Sequence, residues 1–258
     1  MWKVYAMGLV VGLGLLWGGS RARQQSRDAQ AERYSTEKAD ATPIGDGVLT
    51  PAQRVHGGLF AARGYPERVA SLMGNITIAQ LAKSQSKEDV LGIDMHVGVG
   101  PLMEPDTPEH FFGGLARGSD AVVRGRVIKK SSQTTVDGYF LFTDYEIRVD
   151  EVFRDNPLAP IGLGTTITVT RPGGKIIMNG VVIKVVDHHF DPLPMNGNDV
   201  VLFLKFVPET ASYQAAGDSH SFELLDSSVR ALNEDDVPAG VLERPEALLK
   251  AIRATANP

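Results

Sequence analysis

The segment 187–191 (DHHFD) contains the residue types that best suit metal binding in this sequence. Neutral imidazoles and carboxylates are common ligands of zinc and other divalent ions. If a strand continued through this segment, His188 and His189 would point to opposite faces. We therefore consider a metal site formed by His188, His189 and Asp191. The alternative, and the more common outcome for so short a motif, is a polar loop after a hairpin.

Three aromatic residues, Tyr139, Phe140 and Phe142, lie close together where a long strand is predicted to begin. Because both faces of that strand start are apolar, one face could form a ligand surface, as strand faces do in small barrels. In the alternative interpretation one side belongs to the core and the other lies under a helix, such as 108–117 or 245–255.

Other catalytic patterns are weak in this sequence. The composition allows a Ser-His-Asp triad, but no Gly-x-Ser-x-Gly elbow occurs. Asp144, Glu146, Arg148 and Asp150 alternate along one strand, which is more typical of a solvated face with cross-strand ion pairs than of a catalytic pair. The chain has no cysteine, which excludes disulfides and a thiol nucleophile. We predict no catalytic residue and no cofactor, apart from the divalent metal considered at 187–191.

The elements that would position these residues are mainly strands. Alternating apolar positions predict strands over 121–128, 139–154 and 165–170. A nearly continuous apolar run predicts a central strand over 199–206 that is covered on both sides, and 213–216 and 222–225 are candidate closing strands. Asn179-Gly180 separates two apolar runs and predicts a β-hairpin over 175–186 with a type I′ turn. The apolar parity slips between Val149 and Val152, which predicts a β-bulge. We therefore expect a mainly β fold with flanking short helices (α+β), built on a small closed or partly open antiparallel barrel.

The order of features over 119–225 resembles the oligonucleotide/oligosaccharide-binding barrel of tissue inhibitors of metalloproteinases and netrin-like modules. The matching segments are SDAVVRGRV (119–127), TDYEIRVDEVFR (143–154), ITVT (167–170), VVLFLKF (200–206) and the strand at Tyr213. Flanking helices also suit uncharacterised exported bacterial proteins that carry such a domain. The inhibitors chelate their target's zinc through an N-terminal cysteine. This chain has no cysteine, so the resemblance implies a fold and not that inhibition.

Short helices are predicted on both sides of the barrel region. Thr50-Pro51 and Thr107-Pro108 are typical helix starts, and Arg244-Pro245 begins a third helix near the end of the chain. We divide the chain into helices and loops over 49–117, a barrel over 118–227, and a C-terminal loop and helix over 228–258.

The amino-terminal residues indicate export. Lys3, an apolar run from Val4 to Trp17, and Ser20-Arg21-Ala22 have the layout of a signal peptide over 1–22. A retained signal anchor is the alternative, although the run is shorter than the roughly 20 residues of a membrane span. The polar segment 23–48 is predicted to be a flexible linker.

These observations together predict an exported, non-catalytic binding or interaction module for an unknown protein or small molecule. The formal net charge of the 258 residues is −5, which disfavours nucleic acid as a partner. Two alternatives stay open. One is a metal-assisted hydrolase centred on 187–191, and the other is a membrane-tethered envelope component that keeps Val4–Trp17.

Overall fold

The structure, a computed structural model, describes residues 28–44, 49–95, 107–187, 189–215, 220–232 and 244–256. This part of the chain is mixed α/β, with six helices and eleven strands in two sheets. The helices are α1 (28–39), α2 (Pro51–Ala61), α3 (Tyr65–Leu72), α4 (Ile78–Ser84), α5 (Pro108–Gly118) and α6 (Pro245–Ala256). The strands are β1 (Thr42–Pro43), β2 (Val90–Met95), β3 (Ala121–Thr134), β4 (Leu141–Arg154), β5 (Thr166–Pro172), β6 (Gly174–Met178), β7 (Val181–Asp187), β8 (Asp199–Val207), β9 (Ser212–Gln214), β10 (Ser221–Leu224) and β11 (Val229–Ala231).

The larger sheet, here called the ring sheet, has the strand order β11-β10-β8-β3-β4-β5-β9. Strand β8 also pairs with β9, so the pairings of β3, β4, β5, β9 and β8 follow a partial ring. The pairing of β5 with β9 is parallel, whereas the other pairings in this sheet are antiparallel. The prediction of a purely antiparallel sheet is therefore wrong.

The smaller sheet, here called the hairpin sheet, has the order β1-β6-β7-β2. Strands β6 and β7 form the predicted hairpin, with φ of 54° at Asn179 and 80° at Gly180. The sequence placed this hairpin in the barrel, whereas the structure pairs it in parallel with β1 and β2, which precede the ring sheet in the chain. The region 49–117 thus contributes a strand, β2, as well as helices.

The predicted bulge in β4 is confirmed. Gly125 pairs with Val149 and Arg124 pairs with Glu151, so Asp150 has no partner of its own on β3. An extra residue of this kind increases the local twist and bends the strand. The bend suits a strand that must follow the curvature of the ring.

In the described part of the chain, three apolar clusters hold the sheets and helices together. The first, the α2–α4 cluster, joins those helices to the hairpin sheet and to the start of β4. The second contains side chains from β3, β4, β5, β8 and β9, the five strands that follow the partial ring. The third packs α5 and α6 on the ring sheet. Strand β8 is covered on both sides, since Leu202 belongs to the second cluster and Phe203 to the third. The predicted central strand is confirmed, and the predicted C-terminal helix, α6, packs on the ring sheet.

Residues 28–44, here called the arm, are ordered where the sequence predicted a flexible linker over 23–48. They comprise α1 and β1, and Tyr34 donates a hydrogen bond to the Gly180 carbonyl at 3.0 Å. Thr42 and Pro43 pair with Ile176 and Ile177 of β6. Polar composition alone did not reveal the arm because its hydrogen-bond partners outside the arm lie between 59 and 146 positions away in the chain.

The predicted signal segment 1–22 lies outside the described residues, as do 23–27 and 45–48. Among the residues that the structure describes, no helix is both long and apolar enough to span a membrane.

Candidate functional site

The predicted metal segment follows β7 directly. Asp187 is buried, and its carboxylate accepts hydrogen bonds from the Tyr65 hydroxyl at 2.8 Å and the His189 backbone N–H at 3.1 Å. Asp191 is exposed, and His188 lies outside the described residues. Within the described ranges, no three His, Asp or Glu side chains come together in a way that could hold a metal ion. The site formed by His188, His189 and Asp191 stays a prediction.

The predicted aromatic ligand surface is a core contact instead. Phe140 and Phe142 are both 0% exposed, and Tyr139 is half-buried. Phe60 of α2 stacks on Phe142 at 6.0 Å between ring centroids, and Tyr65 of α3 packs on Phe140 at 4.8 Å. The alternative interpretation, in which these aromatic residues lie under a helix, fits the structure. The covering helices, however, are α2 and α3 and not α5 or α6.

The two sheets enclose a cleft, here called the intersheet cleft, of about 100 Å³. The ring sheet contributes β3 and β4, the hairpin sheet contributes β6 and β7, and the arm contributes Asp40. The polar and charged lining includes Asp40, Lys130, Tyr145, Lys175, Lys184 and Asp187. Three ammonium groups therefore face two carboxylates, which gives the lining a positive balance.

The carboxylate of Asp40 lies between two of these lysines. Its oxygens form ion pairs with Lys130 and with Lys175, the latter at 3.3 Å. Burial raises the pKa of Asp40, but the hydrogen bond from Lys130 and the charges of both lysines outweigh it, so its pKa lies below the ordinary value. Lys175 also pairs with Glu37 at 2.5 Å. The cleft thus binds a carboxylate already, one supplied by the chain itself.

A buried cation lies close to the cleft. Arg171 is 1% exposed and donates hydrogen bonds to Ser221 Oγ at 3.0 Å and to the Leu232 carbonyl at 2.6 Å. Burial lowers its pKa to about 10, so the guanidinium stays protonated at neutral pH. Burial likewise raises the pKa of Tyr145 to about 12, which keeps that phenol neutral.

A second polar cluster lies where α2 meets β4 and the β8–β9 turn, and we call it the His56 cluster. His56 Nδ1 is 2.8 Å from Asp144 Oδ1, and His56 Nε2 is 2.8 Å from Ser212 Oγ and 3.0 Å from Thr210 Oγ1. His56 and Ser212 are buried, and Thr210 is half-buried. These residues have the arrangement of a carboxylate, a base and a hydroxyl.

The sequence did not reveal this cluster, although it allowed a Ser-His-Asp combination. His56 is 88 positions from Asp144 and 156 from Ser212. The alternating face predicted for β4 is otherwise confirmed, since Lys129 pairs with Glu146 at 2.7 Å and Arg126 pairs with Asp150 at 3.6 Å. Burial of His56 is a property of the folded structure, and no short sequence pattern marks it.

No model of a known protein family matches the sequence, and no curated protein is found to match it. Function is therefore inferred from the geometry of the chain itself.

Proposed function

We propose that the chain is an exported binding module whose ligand site is the intersheet cleft, and that the ligand presents a carboxylate there. The observation that carries this proposal is the position of Asp40 between Lys130 and Lys175. A carboxylate between two ammonium groups receives charge-assisted hydrogen bonds, which are stronger than neutral ones.

The size of the cleft limits the kind of ligand. Its volume of about 100 Å³ is well below the roughly 300–1,000 Å³ of pockets that enclose small molecules. It suits one acidic side chain, inserted from a larger partner that lies across the mouth. We therefore propose an acidic segment of a protein as the ligand.

The arm is weakly enough held to exchange with such a ligand. Most of α1 is exposed, and β1 contributes two residues to the hairpin sheet. Asp40 is 52% exposed, so solvent screens its pairs with the two lysines, and a ligand carboxylate that excluded this solvent would bind them more tightly. A ligand segment would take the place of Asp40 and pair along β6, as peptides do when they add a strand to a sheet edge.

We also propose that the partial ring is a small, partly open barrel of the oligonucleotide/oligosaccharide-binding type. Support comes from its five strands and from the single apolar cluster to which all five contribute. Export is proposed from the signal-like residues 1–22, and the mass of the mature N-terminus distinguishes cleavage after Ala22 from a retained anchor. Among the described residues, no observation favours the metal-assisted hydrolase.

The ligand proposal is tested with a fluorescent peptide of residues 34–44 (YSTEKADATPI) and the purified chain. In a Glu37→Gln, Asp40→Asn variant the arm loses the two carboxylates that compete with the peptide for Lys130 and Lys175. We expect this variant to bind the peptide about 10-fold more tightly than the wild type, as measured by fluorescence anisotropy.

Neutralising the cleft provides the matched comparison. Adding Lys130→Gln and Lys175→Gln to that variant should remove the gain in peptide affinity. Adding Lys205→Gln instead, at an exposed lysine on β8, should leave the gain in affinity unchanged. Equal binding of a peptide with Gln and Asn at its two acidic positions would contradict a carboxylate site.

A further inference from the structure

The His56 cluster has the hydrogen-bond order of an activated nucleophile. Asp144 Oδ1 accepts from His56 Nδ1, and His56 Nε2 accepts from Ser212 Oγ, each at 2.8 Å, with the tautomer assigned from this network. We propose that Asp144, His56 and Ser212 form a nucleophilic site that hydrolyses carboxylic esters of small acyl groups. This activity goes beyond the binding function proposed for the intersheet cleft.

The backbone beside the nucleophile is strained. Ala211 has φ of 49° and ψ of 39°, a left-handed conformation that is uncommon for a residue with a Cβ. Strain of this kind clusters at functional sites. Here it turns the chain so that the flanking residues, Thr210 and Ser212, both direct their hydroxyls to His56 Nε2.

Two further polar groups lie on the same face of the ring sheet. Thr170 of β5 lies directly opposite Asp144 of β4 and Gln214 of β9. Paired residues share a face of the sheet, and Ser212, two positions before Gln214 on β9, lies on that face as well. Among the described residues, neither Thr170 Oγ1 nor Gln214 Oε1 has a hydrogen-bond partner, although both atoms are buried. Buried polar atoms are normally paired, and the exceptions are candidates for a functional role. Thr170 is 0% exposed and carries a hydroxyl donor suited to a polar substrate atom.

Access to the cluster restricts the substrate. Ser212 is 3% exposed and His56 is 2% exposed. The cluster reaches solvent through Thr210, Gln214 and Asp144, which are partly exposed. Because the nucleophile and the base are both almost fully buried, only a small acyl group can approach them, so we take acetyl or propionyl esters as the substrate class.

The chemical step uses only the ester and water. Ser212 Oγ attacks the carbonyl carbon and transfers its proton to His56 Nε2, and His56 then protonates the departing alkoxide as the C–O bond breaks. Water hydrolyses the acyl-serine by the same route in reverse order, which regenerates Ser212 and releases the acid. Asp144 acts as a positioning residue, since it orients His56 and stabilises the imidazolium.

The direct test is labelling of the purified chain by a small fluorophosphonate, followed by peptide mass spectrometry. We expect one adduct, on Ser212, that is lost in Ser212→Ala and retained in Ser71→Ala, an exposed control serine. His56→Gln should slow labelling by at least about 100-fold, the lower range for a lost general base. A folded protein that reacts with the probe nowhere, or on another serine, would overturn the proposal.

A second test separates activation from a merely structural hydrogen bond. The chain has no cysteine, so Ser212→Cys introduces a single thiol. If His56 and Asp144 act together, this thiol should react with iodoacetamide at pH 6–7 at least about 10-fold faster than the thiol of Ser71→Cys, because a nearby imidazole promotes the thiolate. Asp144→Asn should reduce that rate. Equal rates for the two thiols, with near-native circular dichroism, would assign the cluster a structural role only.

Discussion

Gly125 determines how closely β3 approaches β4 beside the bulge. A Cβ at this position would lie 2.2 Å from the Arg148 carbonyl oxygen and 3.0 Å from the Ile147 side chain. The first contact is with backbone, which cannot rotate away as a side chain could. The close approach of the two strands therefore depends on the absence of a side chain.

We expect Gly125→Ala to reduce the free energy of unfolding by roughly 3 kcal/mol, because the strands must separate to accept the methyl group. Urea denaturation followed by circular dichroism measures the change. Gly58→Ala is the matched control, since Gly58 is an exposed position in α2 with no heavy atom within 4 Å of an added Cβ. That substitution should instead stabilise by about 1 kcal/mol through helix propensity. If both changes had the same sign, the steric explanation would fail.

Among the structural elements, the arm is held mainly by charged and polar contacts. Hydrogen bonding to Lys175 holds the pKa of Glu37 below its ordinary value of 4.5. For Asp40, the Lys130 contacts outweigh burial and place its pKa below 3.8. A carboxyl with a lowered folded pKa stabilises the docked state above its ordinary pKa, and that stabilisation is lost as the pH falls through the folded pKa.

We therefore expect the arm to stay docked between pH 5 and 7 and to lose its stabilisation progressively as the pH falls below about 4 and through the lowered pKa values of the docked carboxyls. A fluorophore on Ser35→Cys, an exposed position in α1, would report detachment as a fall in anisotropy. Circular dichroism at each pH must show that the sheets remain folded. In the Glu37→Gln, Asp40→Asn variant the low anisotropy should already be present at pH 7. An anisotropy that does not fall at all between pH 5 and about pH 2, with the sheets still folded, would contradict the electrostatic account.

At the scale of the whole molecule, the α2–α4 cluster joins the two sheets. Phe142 comes from β4 of the ring sheet, whereas Ile176 and Ile183 come from β6 and β7 of the hairpin sheet, and Phe60 covers them from α2. Because these residues share one apolar cluster, neither sheet can lose its packing without exposing apolar surface of the other. The described sheets should unfold as one cooperative unit.

Phe142→Ala should lower the free energy of unfolding by about 3–5 kcal/mol, the usual loss for a buried aromatic ring. Denaturation followed by both circular dichroism and tyrosine fluorescence should still give a single coincident transition. Leu158→Ala, at a position 82% exposed, should change stability by less than about 0.5 kcal/mol. Two separated transitions would show that the sheets are independent.

The sequence by itself determined features that depend on near neighbours. Alternation with a period of two placed β3, β4 and β5, a continuous apolar run placed β8, and Asn179-Gly180 placed the hairpin. These signals are local because side-chain facing and turn geometry depend on a few consecutive residues. The helix starts at Thr50 and Thr107 are likewise local, since each threonine caps the backbone N–H three residues ahead.

The tertiary structure decided which distant segments meet. Strand β2 was hidden among glycines and prolines, and its partner β7 begins 91 positions after it, at Val181. The arm's contact with Lys175 and the contact of His56 with Ser212 depend on chain paths that no short pattern encodes. Sheet membership and both candidate sites therefore had to come from three-dimensional packing, because pairing energy is set by the partner and not by the segment alone.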